Sequence, residues 1–156
     1  EAPVGKVLWV LGDHKYRKLW TDRLDRWTVI ENLQTKVTLH DVYDLPWPID
    51  DRDFVFTAEF RKESEDRMLV HMRSIEHPDY PPNPETGVRG ELHKSLFILE
   101  KLGDKRTRVT VEIVTDPRGS LPTWLVNLIQ QTWPVKTLNG IRALMDKPYV
   151  KEWTLP

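Results

Sequence analysis

A chain of 156 residues is long enough to bury one real hydrophobic core, and its 23 Lys and Arg against 24 Asp and Glu leave a net charge of -1. With no basic tail and no long block of like charge, the chain lacks the electrostatic footprint of a nucleic-acid binder. No apolar run approaches the roughly 20 residues that a helix needs to cross a bilayer, and the absence of cysteine removes disulfides, thiol nucleophiles and cysteine-ligated metals. The composition is that of a soluble domain. The chain opens at Glu1 rather than Met, so an N-terminal segment is expected to have been removed, an export signal among the alternatives. The compartment, cytoplasmic or periplasmic or secreted, stays open.

From Ala2 to Trp20 the pattern predicts two short helices. Val4, Val7, Leu8 and Leu11 recur at helical spacing, Gly12-Asp13 breaks the run, and a second turn carries Tyr16, Leu19 and Trp20. The period then drops to two. Trp27–Ile30 and Val37–Tyr43 are rich in β-branched and aromatic residues. Prolines 46 and 48 exclude a central strand in the following loop. Phe54–Phe60 and Arg67–Ile75 alternate and are joined by the charged turn Lys62–Asp66. His77–Pro84, with four prolines, reads as a long loop. Two further strands, Gly87–Leu102 and Arg106–Thr115, meet at a tight turn over Gly103-Asp104-Lys105. A helical stripe follows: Leu121, Leu125, Leu128 and Ile129, continued by Leu138, Ile141, Leu144 and Met145. Ser120 is the expected N-cap, with Leu121 and Pro122 in the first turn, and Pro134 is expected to kink or interrupt the helix. The sum is a single α+β domain over 1–156 with six antiparallel strands, whose apolar face the one long helix must cover.

Four stretches resemble one family in order and spacing. They are Tyr16–Trp20, Leu45–Phe54 with its Pro-Trp-Pro and Arg-Asp-Phe, Gly87–Glu91, and Thr115–Asn127 with its Asp-Pro-x-Gly-x-Leu-Pro-x-Trp-Leu-Val-Asn. On these motifs the chain resembles a START domain, a member of the helix-grip (Bet v 1-like) superfamily. The resemblance implies a curved antiparallel sheet wrapped around a long C-terminal helix, enclosing a cavity for a lipid or other hydrophobic small molecule. START domains usually begin with a helix and three strands that have no counterpart here. The expectation is therefore a gap in the sheet, a partner chain that fills it, or a piece of a longer protein. An open edge there would suit a homodimer.

Parity assigns the ligand-facing positions that the resemblance calls for. These are Leu39, Asp41 and Tyr43; Phe54, Phe56 and Ala58; Met68 and Met72, with Val70 between them; Leu92, Lys94 and Leu96; Val111 and Ile113; and Leu125, Leu128 and Ile129 from the helix. The alternative for each apolar member is plain core packing. Asp41 is the pointed residue, because an inward carboxylate costs free energy unless it is paired or hydrated. In sterol-binding members an acidic residue near this position pairs with an arginine on the next strand, but the matching position here is Ala58. Lys94 and His40 remain as partners, and a solvated strand end is the other reading of Asp41.

Arg52, Asp53 and Asp116 are read as residues that pin loop junctions. The His77–Pro84 loop and the loop around Trp47 are expected to act as lids. His14, His40, His71, His77 and His93 show no metal-ligand spacing, and no phosphate loop or nucleophile elbow occurs. Neither metal nor cofactor is expected. The leading function is non-catalytic lipid binding, for transfer or sensing, with transient contact to a membrane surface and no nucleic-acid partner. The alternative is a polyketide cyclase/aromatase-like enzyme on the same fold, with Asp41, Tyr43 and Lys94 as its reactive candidates.

Overall fold

The computed structural model describes residues 1–156. The chain forms α1 (Val4–Gly12), a 3-10 turn at Arg17–Leu19, strands β1 (Leu24–Asn32), β2 (Lys36–Tyr43), β3 (Arg52–Ser64), β4 (Arg67–Ser74), β5 (Val88–Arg89), β6 (Glu91–Lys101) and β7 (Thr107–Asp116), and α2 (Thr123–Leu144). The sheet order is β1-β2-β3-β4-β6-β7, with β5 paired to β3. Neighbours along this order run antiparallel, and only the β3–β5 pairing is parallel. Strands β1 and β7 are the two edges.

The single strand expected over Gly87–Leu102 is divided in two at Gly90. A Cβ at Gly90 would lie 2.5 Å from the Phe54 ring, so only glycine lets the chain cross over that side chain. The expected N-cap also moves. Pro122 is the N-cap residue, extended at ψ 136°, and no side chain caps the helix. A proline holds the residue before it extended too, which keeps Leu121 out of the first turn. Pro134 lies inside a helix that continues to Leu144 rather than ending there.

The concave face of the sheet divides into two regions along each strand. On β3, Ala58 and Phe60 join Met68, Val70 and Leu99 in a core closed by Val7, Leu8 and Leu11 of α1 and by Ile141, Leu144 and Met145. Each fully buried side chain of this kind contributes about 1.5–3 kcal/mol. Val150 and Leu155 of the C-terminal tail complete the same core. Phe54 lies nearer the other end of β3, under the first half of α2, where Leu125 is the only buried helix residue before Thr137. There the packing leaves space.

Candidate functional site

A cavity of about 190 Å³ separates the sheet from the first half of α2. Its sheet wall consists of Tyr43 on β2, Phe54 and Phe56 on β3, Met72 on β4, Leu92, Ser95 and Phe97 on β6, and Ile113 and Thr115 on β7. Its roof is Leu121, Val126, Ile129, Gln130, Trp133 and Pro134; Trp20, Thr21 and Leu45 close the side, and Arg17, Asp22, Arg23, Arg52 and Pro117 complete the wall. Of the positions assigned by parity, Tyr43, Phe54, Phe56, Met72, Leu92, Ile113 and Ile129 reach this space.

The others are placed elsewhere. Leu39, Ala58 and Met68 belong to the packed core, Val111 packs against it, and Leu125 is fully buried outside the cavity wall. Lys94 and Leu96 are corrected to the convex face. Between Leu92 and Lys94 the register with β7 slips by one residue: Leu92 pairs with Thr115, and Lys94 with Val114. This β-bulge reverses the alternation, so Ser95, Phe97 and Leu99 turn inward. Lys94 instead donates to Glu112 Oε2 at 2.7 Å on an exposed surface. Leu128 is also corrected, being 44% exposed on the outer side of α2.

Asp41 is fully buried, and neither Lys94 nor His40 is its partner. Arg17, from the 3-10 turn, donates Nη1–H to Oδ1 at 2.5 Å and Nη2–H to Oδ2 at 2.6 Å, a bidentate fork. The Tyr43 hydroxyl donates to Asp41 Oδ2 at 3.1 Å. Burial and then the adjacent Asp41 charge push the Tyr43 phenol well above its usual pKa, so it stays protonated. Burial works against the Arg17 charge, but Asp41 outweighs it and leaves the guanidinium more basic than usual. Arg17 and Tyr43 line the cavity and Asp41 lies behind them, so the Arg17 charge is neutralised there and Tyr43 directs its one proton at the pair. Thr21 adds a buried Oγ1 that no protein group bonds.

Arg52 fixes the rim. Its Nε–H donates to the Pro117 carbonyl at 2.7 Å, Nη1–H to Asp50 and Asp51, and Nη2–H to Arg118 at 3.0 Å. One side chain therefore ties the loop entering β3 to the turn entering α2. Asp116 acts locally, its Oδ1 accepting from Arg118 N at 2.8 Å.

Asp53 faces the convex side, where it accepts from His40 Nε2 at 2.7 Å, from Thr86, and from Nε and Nη2 of Arg89. Arg89 also donates to the Tyr80 carbonyl, and the Tyr80 ring meets His40 edge-on. The His77–Pro84 segment is therefore held on the convex face by this network and contributes nothing to the cavity wall, contrary to its expected role as a lid. In the loop around Trp47, Leu45 lines the cavity while Trp47 itself is 92% exposed.

Parity did not reveal Arg17, Trp20, Thr21 or Phe97. The first three lie in and beside Tyr16–Trp20, where an arginine inside an apolar turn was the available signal. Phe97 was hidden by the bulge.

A sequence profile described as the START domain matches residues 2–149. Human START domain-containing protein 10 is 27% identical over 158 residues, covering 100% of this chain and 54% of that protein. Mouse phosphatidylcholine transfer protein is 29% identical over 132 residues, covering 83% of this chain and 58% of that protein. The crystal structure of human STARD10 superposes with a TM-score of 0.84 at 25% identity, over 95% of this chain and 60% of that one. The Zhui aromatase/cyclase of Streptomyces shares the fold, with a TM-score of 0.65 at 15% identity, over 94% of this chain and 88% of that one. The chain spans 64% of the length of one curated relative, from Pseudomonas aeruginosa, and 54% of the human one.

Proposed function

Because the chain belongs to the START domain family, we propose that the space beneath α2 binds a lipid or another apolar small molecule, for transfer or for sensing. The observation that carries this reading is the cavity itself: thirteen of its 23 wall residues are hydrophobic, and its Arg17 is neutralised by the buried Asp41 behind it. An alkyl chain entering it gains about 0.8 kcal/mol for each CH₂ removed from water. Mouse phosphatidylcholine transfer protein, a relative over 83% of this chain, supports the same class of ligand.

At about 190 Å³ the cavity holds a ring or a short alkyl segment, so enclosing a whole lipid requires the roof to move. The first half of α2 suits that movement, since Leu125 is its one buried residue. Residues 123–135 carry no charge, and Trp124, Leu128 and Val135 are exposed along one face of the helix. That face is the proposed contact with a membrane surface. The two open sheet edges, β1 and β7, are the places where a second copy would add.

The protein is read as a binder rather than an enzyme. Arg17 occupies both oxygens of Asp41, which also accepts from the Tyr43 hydroxyl, so neither Asp41 nor Tyr43 stands free as an acid or base. The aromatase/cyclase neighbour is the reason to test the alternative.

Native mass spectrometry of the gently purified protein, followed by transfer of labelled lipid between vesicles, tests the reading. A co-purified lipid and measurable transfer are expected, with Trp124→Ser slowing transfer several-fold while loading persists. An empty protein that extracts no lipid from vesicles would overturn it. Turnover of an aromatic polyketide substrate that is lost in Tyr43→Phe and Asp41→Asn would establish the enzyme instead.

A further inference from the structure

A second, more open cavity of about 460 Å³ shares no wall residue with the first. It opens at the C-terminal end of α1, between that helix, the β1–β2 turn, Phe60 of β3 and Trp153 of the tail. Trp153 is fixed in place. Its backbone N–H donates to the Gly5 carbonyl at 3.0 Å, and its ring meets Phe60 edge-on with centroids 4.9 Å apart. α1 ends in Gly12, where a Cβ would stand 2.9 Å from the Trp153 ring. A glycine within a helix costs about 1 kcal/mol relative to alanine, and here it leaves the room in which the indole lies. Trp9 forms another wall, held at its side by Tyr16 with centroids 6.3 Å apart.

The charge pattern is one-sided. Asp13 is the only Asp, Glu, Lys or Arg in the wall. Its Oδ2 accepts from the backbone N–H of Lys15 and Tyr16, at 2.9 and 2.8 Å, while Oδ1 takes no hydrogen bond. His14 contributes no opposing charge at neutral pH: burial, and then the Arg17 charge, hold its pKa below the usual value. Aromatic faces present the negative side of their quadrupole to a guest, and a carboxylate beside them adds to the same sign of potential. An anion has no cationic partner in this wall.

We infer that this pocket is a second small-molecule site that takes an organic ammonium ion, seated among Trp9, Phe60 and Trp153 with its charge toward Asp13. The free amine and the ammonium head of a larger molecule share this chemistry.

The test is calorimetric titration of the full chain with choline, and with 3,3-dimethylbutan-1-ol as its uncharged isostere. Choline is expected to bind saturably, and about tenfold more tightly than the alcohol, the cation–π contact and the Asp13 carboxylate acting together. Asp13→Asn keeps an oxygen for the Lys15 and Tyr16 cap and is expected to weaken choline about tenfold. Trp153→Leu should weaken it at least as much, with thermal melts confirming that each variant is folded. Phosphocholine separates the two sources: weaker binding than choline points to a free amine, and equal binding to a head group. Absence of saturable choline binding would overturn the inference, as would equal affinity for the alcohol or an unaltered Asp13→Asn. The pocket has its own walls, so these outcomes are independent of whether the cavity under α2 takes a lipid.

Discussion

Breaking the ion pair at the polar end of the cavity should cost far more than erasing it. Arg17 and Asp41 are 6% and 0% exposed, and two charge-assisted hydrogen bonds join them. Arg17→Met leaves a carboxylate out of water with only the Tyr43 hydroxyl to solvate it. Asp41→Leu leaves an unpaired guanidinium. Removing one partner of such a pair typically costs about 3–5 kcal/mol, whereas replacing both by apolar groups of similar volume is often close to neutral. A domain has roughly 5–15 kcal/mol to lose, so each single variant should remain folded in dilute buffer. At roughly 2–4 °C per kcal/mol for a chain of this size, its Tm should fall by about 10 °C. The combination Arg17→Met/Asp41→Leu should recover most of that loss, with Tyr43→Phe added so that no buried hydroxyl is orphaned. The coupling energy from urea titrations of the full cycle should reach about 3 kcal/mol. Single variants costing under about 1 kcal/mol, or a double variant equal to their sum, would refute the reasoning, because the pair would then behave as a solvated one.

On the convex face, burial alone would raise the Asp53 pKa, but hydrogen bonds from His40, Arg89 and Thr86, together with the Arg89 charge, lower it from 3.8 to about 2. A depressed carboxylate stabilises the fold fully above its unfolded pKa and loses that contribution as pH falls through the folded one. Asp53 should therefore supply up to about 2 kcal/mol above pH ~4 that disappears toward pH ~2. Asp53→Asn should flatten the stability curve in that window in stepped-pH urea titrations, and a stability difference constant across it would count against the network. Gly140 of α2 lies so close to Trp20 that an added Cβ would stand 2.6 Å from its Cα, a backbone atom that cannot swing away. Although alanine is the better helix former, Gly140→Ala should destabilise by about 1–3 kcal/mol. A variant more stable than the parent in chemical denaturation would show that the helix does not sit that close.

Much of this architecture was legible along the chain. The change of period from two to 3.6 marked the six long strands and the closing helix, and the ordered motifs marked the family. What escaped was of a different physical kind. The partner of Asp41 was sought within the sheet, at His40 and Lys94, and it came from Arg17, 24 positions earlier, through a turn whose docking no alternation pattern encodes. The His77–Pro84 loop advertised irregularity, but its side of the sheet was set by Arg89 and Asp53 reaching it from two strands. Parity is a local rule that counts residues, and it held on β3 and β4, where counting was enough. It failed on β6 beyond Leu92, where one residue is spent without advancing the pairing.

That extra residue acts on the strand as a frameshift acts on a message. Upstream of it the even-numbered positions face the guest; downstream the odd-numbered ones do, and Ser95 and Phe97 are read in the new frame. Loss of His93 would restore plain alternation and leave each of those walls where it is. A length change of one residue anywhere from Ser95 to Leu99 would instead turn the lining outward and the lysine side in. The site thus tolerates a change of length at one point on an inner wall, and variation among chains with this cavity has one place on β6 where it can be absorbed.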